Sequence, residues 1–203
     1  RSRTSEKNTF MKKAFIYLIV FLAIQLVAGL VVQGLWTLIS GDNASANATC
    51  IILTTILFSI AVMVVFLLAK WSEVSPNWIR KRPWVTLIWC VLAALGAIIP
   101  SVWMQEHMPE LPNIAEDAFD MIMKDRWGYV SVGLMAPLAE ELVFRGAILR
   151  ELLRWSSRPW VAIAISALFF AAAHMNPAQI PHAFLIGLLL GTSRSEERRV
   201  GKE

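Results

Sequence analysis

The chain has 203 residues, of which 57% are hydrophobic and only 17% are charged, and its mean hydropathy is +0.57. An ordinary soluble domain is apolar over roughly 45 to 50% of its residues, so this composition predicts an integral membrane protein. The net charge of +4 does not indicate a nucleic-acid partner, because the basic residues fall in short loops between apolar runs. A single bundle of about six spanning helices would use most of the chain.

Apolar runs follow one another along the sequence, and most are long enough to cross a bilayer at about 1.5 Å per residue. The predicted spans are residues 14–39, 48–69, 84–104, 128–153 and 160–174, with an incomplete sixth that starts at Pro181. This pattern predicts an all-α integral membrane fold with one transmembrane domain over residues 14–191, preceded by a cytoplasmic segment over residues 1–13.

The distribution of charge predicts the orientation of these spans. Basic residues precede the first span and fill the loops at 70–82 and 154–158, whereas the loop at 41–47 has none. The loop at 105–127 is acidic and belongs outside, where it forms either an amphipathic helix at the interface or a solvated loop. The positive-inside rule therefore predicts a cytoplasmic N-terminus.

Two adjacent glutamates and an arginine lie inside the fourth predicted span, in the run APLAEELVFRGAILREL. An ionised side chain at the centre of a spanning helix costs roughly 2.5 to 3.5 kcal/mol on insertion scales, so such residues line polar cavities, pair or carry out chemistry. Glu141 and Arg145 are spaced i, i+4, in the order that favours an ion pair. Glu140 points about 100° away from Glu141 around the helix axis and has no partner on its own face. It is therefore the candidate general base.

A histidine near the end of the fifth span lies at a similar depth. Glu140 is 15 residues from Trp155 and His174 is 14 residues from Trp160, two tryptophans that mark the inner interface. Both side chains would then lie roughly 20 Å from that interface, and adjacent antiparallel helices would bring them face to face. The alternative is a structural histidine that only satisfies a local hydrogen bond.

The residues that carry a family resemblance are Glu140, Glu141 and Arg145 in EELVFRG, Phe170 and His174 in FAAAH, and then Asn176 and Pro177. Over about 135–191 they resemble the first two motifs of the CAAX-protease and bacteriocin-processing (CPBP, or Abi) family of intramembrane proteases. The resemblance implies an all-helical fold with a water-filled cavity, in a bacterial inner membrane. It implies that Glu140 activates the attacking water with help from His174, and that Glu141 and Arg145 support the site.

Members of this family are often labelled metalloproteases. This sequence has no HExxH pair, and one histidine with two glutamates supplies few donors for a closed zinc site. We therefore expect no obligatory cofactor, with zinc as the less favoured alternative.

The last twelve residues, TSRSEERRVGKE, contain seven charged side chains and do not resemble the rest of a span. Residues 192–203 resemble translated adapter or vector sequence, and for residues 1–10 ahead of Met11 the expectation is foreign or upstream sequence. A genuine cytosolic tail is the alternative. The family usually has a third motif on a later helix, a histidine followed four residues later by Asn or Asp. The sequence ends before such a motif, and an inactive fragment is therefore one expectation.

Three classes of function follow from these observations. The first is an intramembrane endopeptidase that acts on a prenylated CAAX-type protein or a bacteriocin-like peptide. The second is a non-catalytic immunity or partner-binding protein on the same scaffold. The third is a small transporter that uses the carboxylates as a proton site. The motif residues favour the first.

Overall fold

The computed structural model describes residues 2–41, 47–72 and 84–200, and within these ranges the chain contains helices and no strand. The helices are α1 (Ser2–Ser40), α2 (Ala48–Leu68), α3 (Trp84–His107), α4 (Glu116–Met123), α5 (126–155), α6 (Pro159–Ala173) and α7 (Ile180–Val200). Every predicted span coincides with one of these helices, so the all-α fold is confirmed. In the described ranges, α1 and α2 are the two helices whose length and hydropathy alone suffice to cross a membrane.

The outward surfaces of α1 and α2 are strongly apolar. Leu38 and Ile39 on α1 expose 83% and 82% of their surface, and Leu68 on α2 exposes 79%. Helices that are apolar on their exposed faces as well as on their buried ones are typical of a bilayer rather than of water. This surface and the composition together identify an integral membrane protein.

Four helices are joined at the centre of the bundle by one phenylalanine from each. Phe21 of α1 lies 5.2 Å, between ring centroids, from both Phe58 of α2 and Phe144 of α5. Phe144 in turn lies 5.1 Å from Phe170 of α6. All three pairs are edge-to-face, a geometry that contributes roughly 0.5 to 1.5 kcal/mol per pair beyond area burial. The aromatic cluster therefore fixes the mutual rotation of α1, α2, α5 and α6.

Helix α5 differs from the uniform α-helix that the sequence predicts. It consists of the α-helical stretches Arg126–Val130, Ala136–Glu140 and Leu149–Trp155, separated by the π-helical stretches Ser131–Met135 and Glu141–Ile148. π-Helical turns are rare and occur frequently at functional sites. Glu140 is the last residue before the second π-helical stretch, and that stretch contains both Glu141 and Arg145.

The first π-helical stretch has a cause in the sequence. Pro137 has no N–H, and its ring crowds the carbonyl of the residue four positions earlier. Immediately before it, Ala136 donates its N–H to the carbonyl of Ser131, five residues back rather than four. The wider turn therefore accommodates the proline within a continuous helix.

Helices α6 and α7 are in close contact through small residues. A Cβ added to Gly187 would lie only 2.9 Å from the Cα of Ala167, and one added to Gly191 would lie 2.7 Å from Cγ2 of Ile163. Ala167 of α6 is the residue against which Gly187 of α7 packs. Ala172, by contrast, is exposed.

The acidic loop and the charged end of the chain both contain helix. The acidic loop contains the short helix α4, whose Ile122 is buried whereas Phe119 is 44% exposed. Helix α7 does not end with the apolar run but continues to Val200, through the charged residues after Gly191. The foreign origin of residues 1–10 and 192–203 stays a prediction, and 201–203 lie outside the described residues.

Candidate active site

Glu140 and His174 line the same cavity, which has a volume of about 190 Å³. It lies between α1, α2, α5 and the end of α6, the four helices that the aromatic cluster joins. The other lining residues are Phe21, Gln25, Phe58, Phe144, Ala173 and Gln179. The structure therefore brings the two candidate catalytic side chains together in a cavity that is lined by equal numbers of polar and apolar residues.

Glu140 is half-buried at the junction of an α-helical and a π-helical stretch. It makes no salt bridge within the described part of the chain, although His174 and Arg145 both lie near enough to act on its charge. Glu141 differs, because its Oε2 lies 3.4 Å from Nε of Arg145. The pairing of Glu141 with Arg145 that the spacing predicts is present, and Glu140 faces the cavity instead.

Arg145 connects α5 to α6. Its side chain is only 4% exposed, whereas that of its partner Glu141 is 49% exposed. Its guanidinium carbon lies 4.7 Å from the centroid of the Phe170 ring, within the range of a cation–π interaction. Arg145 therefore holds the phenylalanine of the FAAAH motif from the opposite helix.

His174 is fixed by the residue one helical turn before it. Its Nδ1 lies 2.9 Å from the carbonyl oxygen of Phe170, and its ring is edge-to-face with the Phe170 ring at 4.9 Å. A carbonyl only accepts hydrogen bonds, so Nδ1 must carry the proton in this contact. In the neutral imidazole Nε2 is then an acceptor, which can receive a hydrogen bond from a water molecule in the cavity.

The Asn-Pro pair after His174 anchors the chain where α6 ends. Met175 has a left-handed backbone (φ 50°), and Asn176 is 2% exposed. The Asn176 side chain donates to Oδ1 of Asn113 at 2.8 Å and accepts from the N–H of Ile114 at 3.2 Å. The acidic loop is thereby tied to the residues that follow His174.

The glycine of the EELVFRG motif permits a close contact with the segment after α2. Ser72 donates from Oγ to the carbonyl oxygen of Leu142 at 2.6 Å, and a Cβ on Gly146 would lie 2.9 Å from that same Oγ. Ser166 of α6 also donates to a carbonyl of the π-helical stretch, that of Phe144, at 3.4 Å, and this carbonyl accepts from the N–H of Leu149 as well.

Sequence reasoning did not identify the cavity residues contributed by other parts of the chain: Phe21, Gln25, Phe58 and Gln179. One signal was available for Gln25, a polar residue inside a long apolar run. The other histidine near the outer side, His182, has its Nδ1 2.7 Å from Oγ of Ser101 and so links α7 to α3.

The residues described do not form an obvious metal site. No group of three or more His, Cys, Asp or Glu side chains comes together within the ranges that the structure describes. A catalytic zinc ion usually has three protein ligands, and the cavity offers one carboxylate and one imidazole.

The helical bundle thus places a carboxylate and an imidazole in one cavity. Residues 123–201 match the model of a protein family described as type II CAAX prenyl endopeptidase Rce1-like. The match confirms the resemblance drawn from the motif residues. No curated protein and no solved structure has a significant match to the chain.

Proposed function

We propose that this protein is an intramembrane endopeptidase that hydrolyses a peptide bond of a membrane-associated substrate. The observation that carries the proposal is the shared cavity of Glu140 and His174 within an apolar helical bundle. The substrate class follows from the family, and is a prenylated CAAX-type protein or a bacteriocin-like peptide. The phenylalanines of the cavity suit an apolar segment of such a substrate.

In the proposed reaction Glu140 is the general base and His174 orients the water molecule. The water donates one hydrogen bond to the Glu140 carboxylate and the other to Nε2 of His174. As its oxygen bonds to the scissile carbonyl carbon, one proton passes to Glu140. When the C–N bond breaks, that proton passes to the leaving amine, and the carboxylate is regenerated.

Glu141 and Arg145 are positioning residues in this scheme. The ion pair stabilises two charges that would be costly in the membrane, and the guanidinium holds Phe170. Phe170 in turn fixes the ring of His174. Because the donor set at the cavity has too few members for a zinc site, water activation is assigned to the carboxylate itself.

The charge distribution supports the orientation, and the apolar helices and the family match support the partners. We place the N-terminus in the cytoplasm of a bacterial inner membrane, with the acidic loop outside. The lipid bilayer and the substrate polypeptide are the expected partners, and no nucleic acid is.

The test is cleavage of a farnesylated CAAX peptide, and in parallel a bacteriocin leader peptide, by the purified protein in lipid vesicles. Glu140→Gln keeps the shape but loses the base, so we expect turnover to fall by about 10² to 10⁴-fold. Glu6→Gln, which changes an exposed glutamate of α1, is the matched control and should retain full activity.

Equal turnover by wild type and Glu140→Gln would exclude the proposed mechanism. Peptide binding without turnover in either protein would favour the partner-binding alternative, and proton-coupled uptake into the vesicles would favour a transporter.

A further inference from the structure

A glutamine of α1 lies among the buried residues that face the bundle. Tyr17, Phe21 and Ala28 are each at most 5% exposed, and Gln25 falls between them at helical spacing. The side chain of Gln25 lines the cavity that contains Glu140 and His174. A polar residue thus occupies a position on α1 whose neighbours along the same face are core residues.

The carboxamide oxygen of Gln25 is buried, and it has no hydrogen-bond partner within the part of the chain that the structure describes. Buried polar atoms nearly always have a partner, because leaving an acceptor unsatisfied is costly. Gln25 lines the cavity, although its oxygen has almost no accessible surface, so a rotation of the carboxamide would present this oxygen to a molecule that enters the cavity.

A peptide group has the complementary chemistry. It presents one N–H donor and one carbonyl acceptor, and a carboxamide presents one acceptor and two donors. A second carboxamide, that of Gln179, also lines the cavity, and its backbone is held by hydrogen bonds to Asn176 and Ala183 at 2.9 and 2.8 Å. The two glutamines come from widely separated parts of the chain and line the same cavity as the acid and the histidine.

We infer that Gln25 is a substrate-binding residue whose Oε1 accepts a hydrogen bond from a backbone N–H of the peptide beside the bond that is cleaved. This inference rests on the proposed function. It adds a polar contact for the polypeptide main chain, which any peptide presents, to the apolar walls formed by the phenylalanines. Gln179 supplies a second carboxamide for the same main chain.

The decisive variant is Gln25→Met, which keeps the length of the side chain and removes its hydrogen-bonding groups. The matched control is Gln33→Met, because Gln33 lies on the same helix with an exposed side chain. We expect kcat/KM for the peptide to fall about tenfold in Gln25→Met, the effect of losing roughly one hydrogen bond. Gln33→Met should stay within about twofold of wild type.

A set of ester-substituted peptides separates substrate binding from a structural role. Replacing one backbone N–H at a time by oxygen, on either side of the cleaved bond, removes a single donor. At one position we expect the ester to reduce kcat/KM for the wild type about tenfold and to leave Gln25→Met unaffected. A merely structural glutamine would give equal losses in both proteins at every position.

Binding of the intact peptide tests the role of Gln25 without requiring cleavage, so this test is independent of the test of the proposed function. The quantity measured is the dissociation constant. It is measured in the Glu140→Gln background, with and without Gln25→Met, and we expect about tenfold weaker binding in the double variant. If the wild type cleaves no peptide, the proposed function fails while the binding measurement still decides the role of Gln25. Equal binding and equal kcat/KM would overturn the inference and assign the buried oxygen to a structural water. Should Gln25→Met fail to fold, Gln25→Asn, which withdraws the carboxamide by one methylene, serves for the same comparisons.

Discussion

Arg145 contacts two side chains. It forms an ion pair with Glu141, and it packs on Phe170, which in turn contacts the candidate catalytic histidine. The guanidinium is planar, so it can lie over the Phe170 ring at 4.7 Å and still reach the Glu141 carboxylate at 3.4 Å. Phe170 then contacts His174 through both its carbonyl and its ring. Displacing Arg145 should therefore alter the orientation of His174 without any direct contact between the two.

Arg145→Lys tests this connection at the level of a single residue. Lysine keeps the charge but loses the flat group that lies over the ring, a contact worth roughly 0.5 to 2 kcal/mol. We expect kcat to fall about 3- to 30-fold, with KM little changed, because the substrate contacts remain. Steady-state kinetics on the peptide substrate measure both parameters.

Arg158→Lys is the control for this substitution, because Arg158 is exposed in the turn before α6. Its kinetics should equal those of the wild type. An Arg145→Lys protein with unchanged kcat would show that Arg145 matters for folding alone and does not position His174.

The ion pair between Glu141 and Arg145 follows from spacing alone, because residues four apart on a helix are neighbours whatever surrounds them. The role of Phe170 does not follow from spacing. Its ring meets Arg145 only because α5 and α6 pack with a particular rotation, and sequence periodicity does not specify that rotation.

Helix α5 shows how an element can be located correctly from sequence and still differ in its internal geometry. Hydropathy predicts its extent, since an apolar run bounded by charged loops has defined ends. Pro137 accounts for the first π-helical stretch, and Ser72 and Ser166 donate hydrogen bonds to carbonyl groups of the second. The 100° separation of adjacent residues applies to the α-helix, and the π-helical stretch after Glu140 alters it for the residues that follow.

The α6–α7 contact gives a prediction at the level of elements. In Gly187→Ala the new methyl group would meet the Cα and Cβ of Ala167 at 2.9 Å, and backbone atoms cannot move aside as a flexible side chain can. The two helices must move apart, so we expect the free energy of unfolding to fall by about 1 to 3 kcal/mol. Thermal unfolding of the protein in detergent, followed by circular dichroism, measures the change.

Gly34→Ala is the matched control in α1, where an added Cβ meets no atom within 4 Å. Alanine favours a helix over glycine by roughly 0.5 to 1 kcal/mol, so this variant should be as stable as the wild type or slightly more stable. Equal stability of Gly187→Ala and Gly34→Ala would contradict the close packing of α6 on α7.

The whole molecule combines apolar outer faces with a polar cavity at the centre of four helices. The exposed leucines and isoleucines of α1 and α2 require a hydrocarbon environment, whereas Glu140, His174 and the two glutamines of the cavity require water or substrate. Both requirements are met only when the bundle is inserted in a bilayer and the helices pack around the cavity.

The orientation in the membrane is tested by labelling introduced cysteines in intact cells, in a background with Cys50 and Cys90 replaced by alanine. Asp117→Cys lies at an exposed position of the acidic loop, and Arg158→Cys lies in the basic turn before α6. A maleimide that cannot cross membranes should label Asp117→Cys at once and Arg158→Cys only after permeabilisation. The reverse pattern would place the N-terminus outside.

The sequence by itself determined the class of protein, the positions of the helices and the candidate acid, histidine and ion pair. These properties depend on local hydropathy, on residue spacing and on a short motif, all of which are readable along the chain. Only the tertiary structure decided that Phe21, Gln25 and Phe58 of the first two helices complete the site around Glu140. The physical reason is that a helix in a membrane can be apolar on every side, so its sequence does not reveal which face turns inward until packing against its neighbours fixes the rotation.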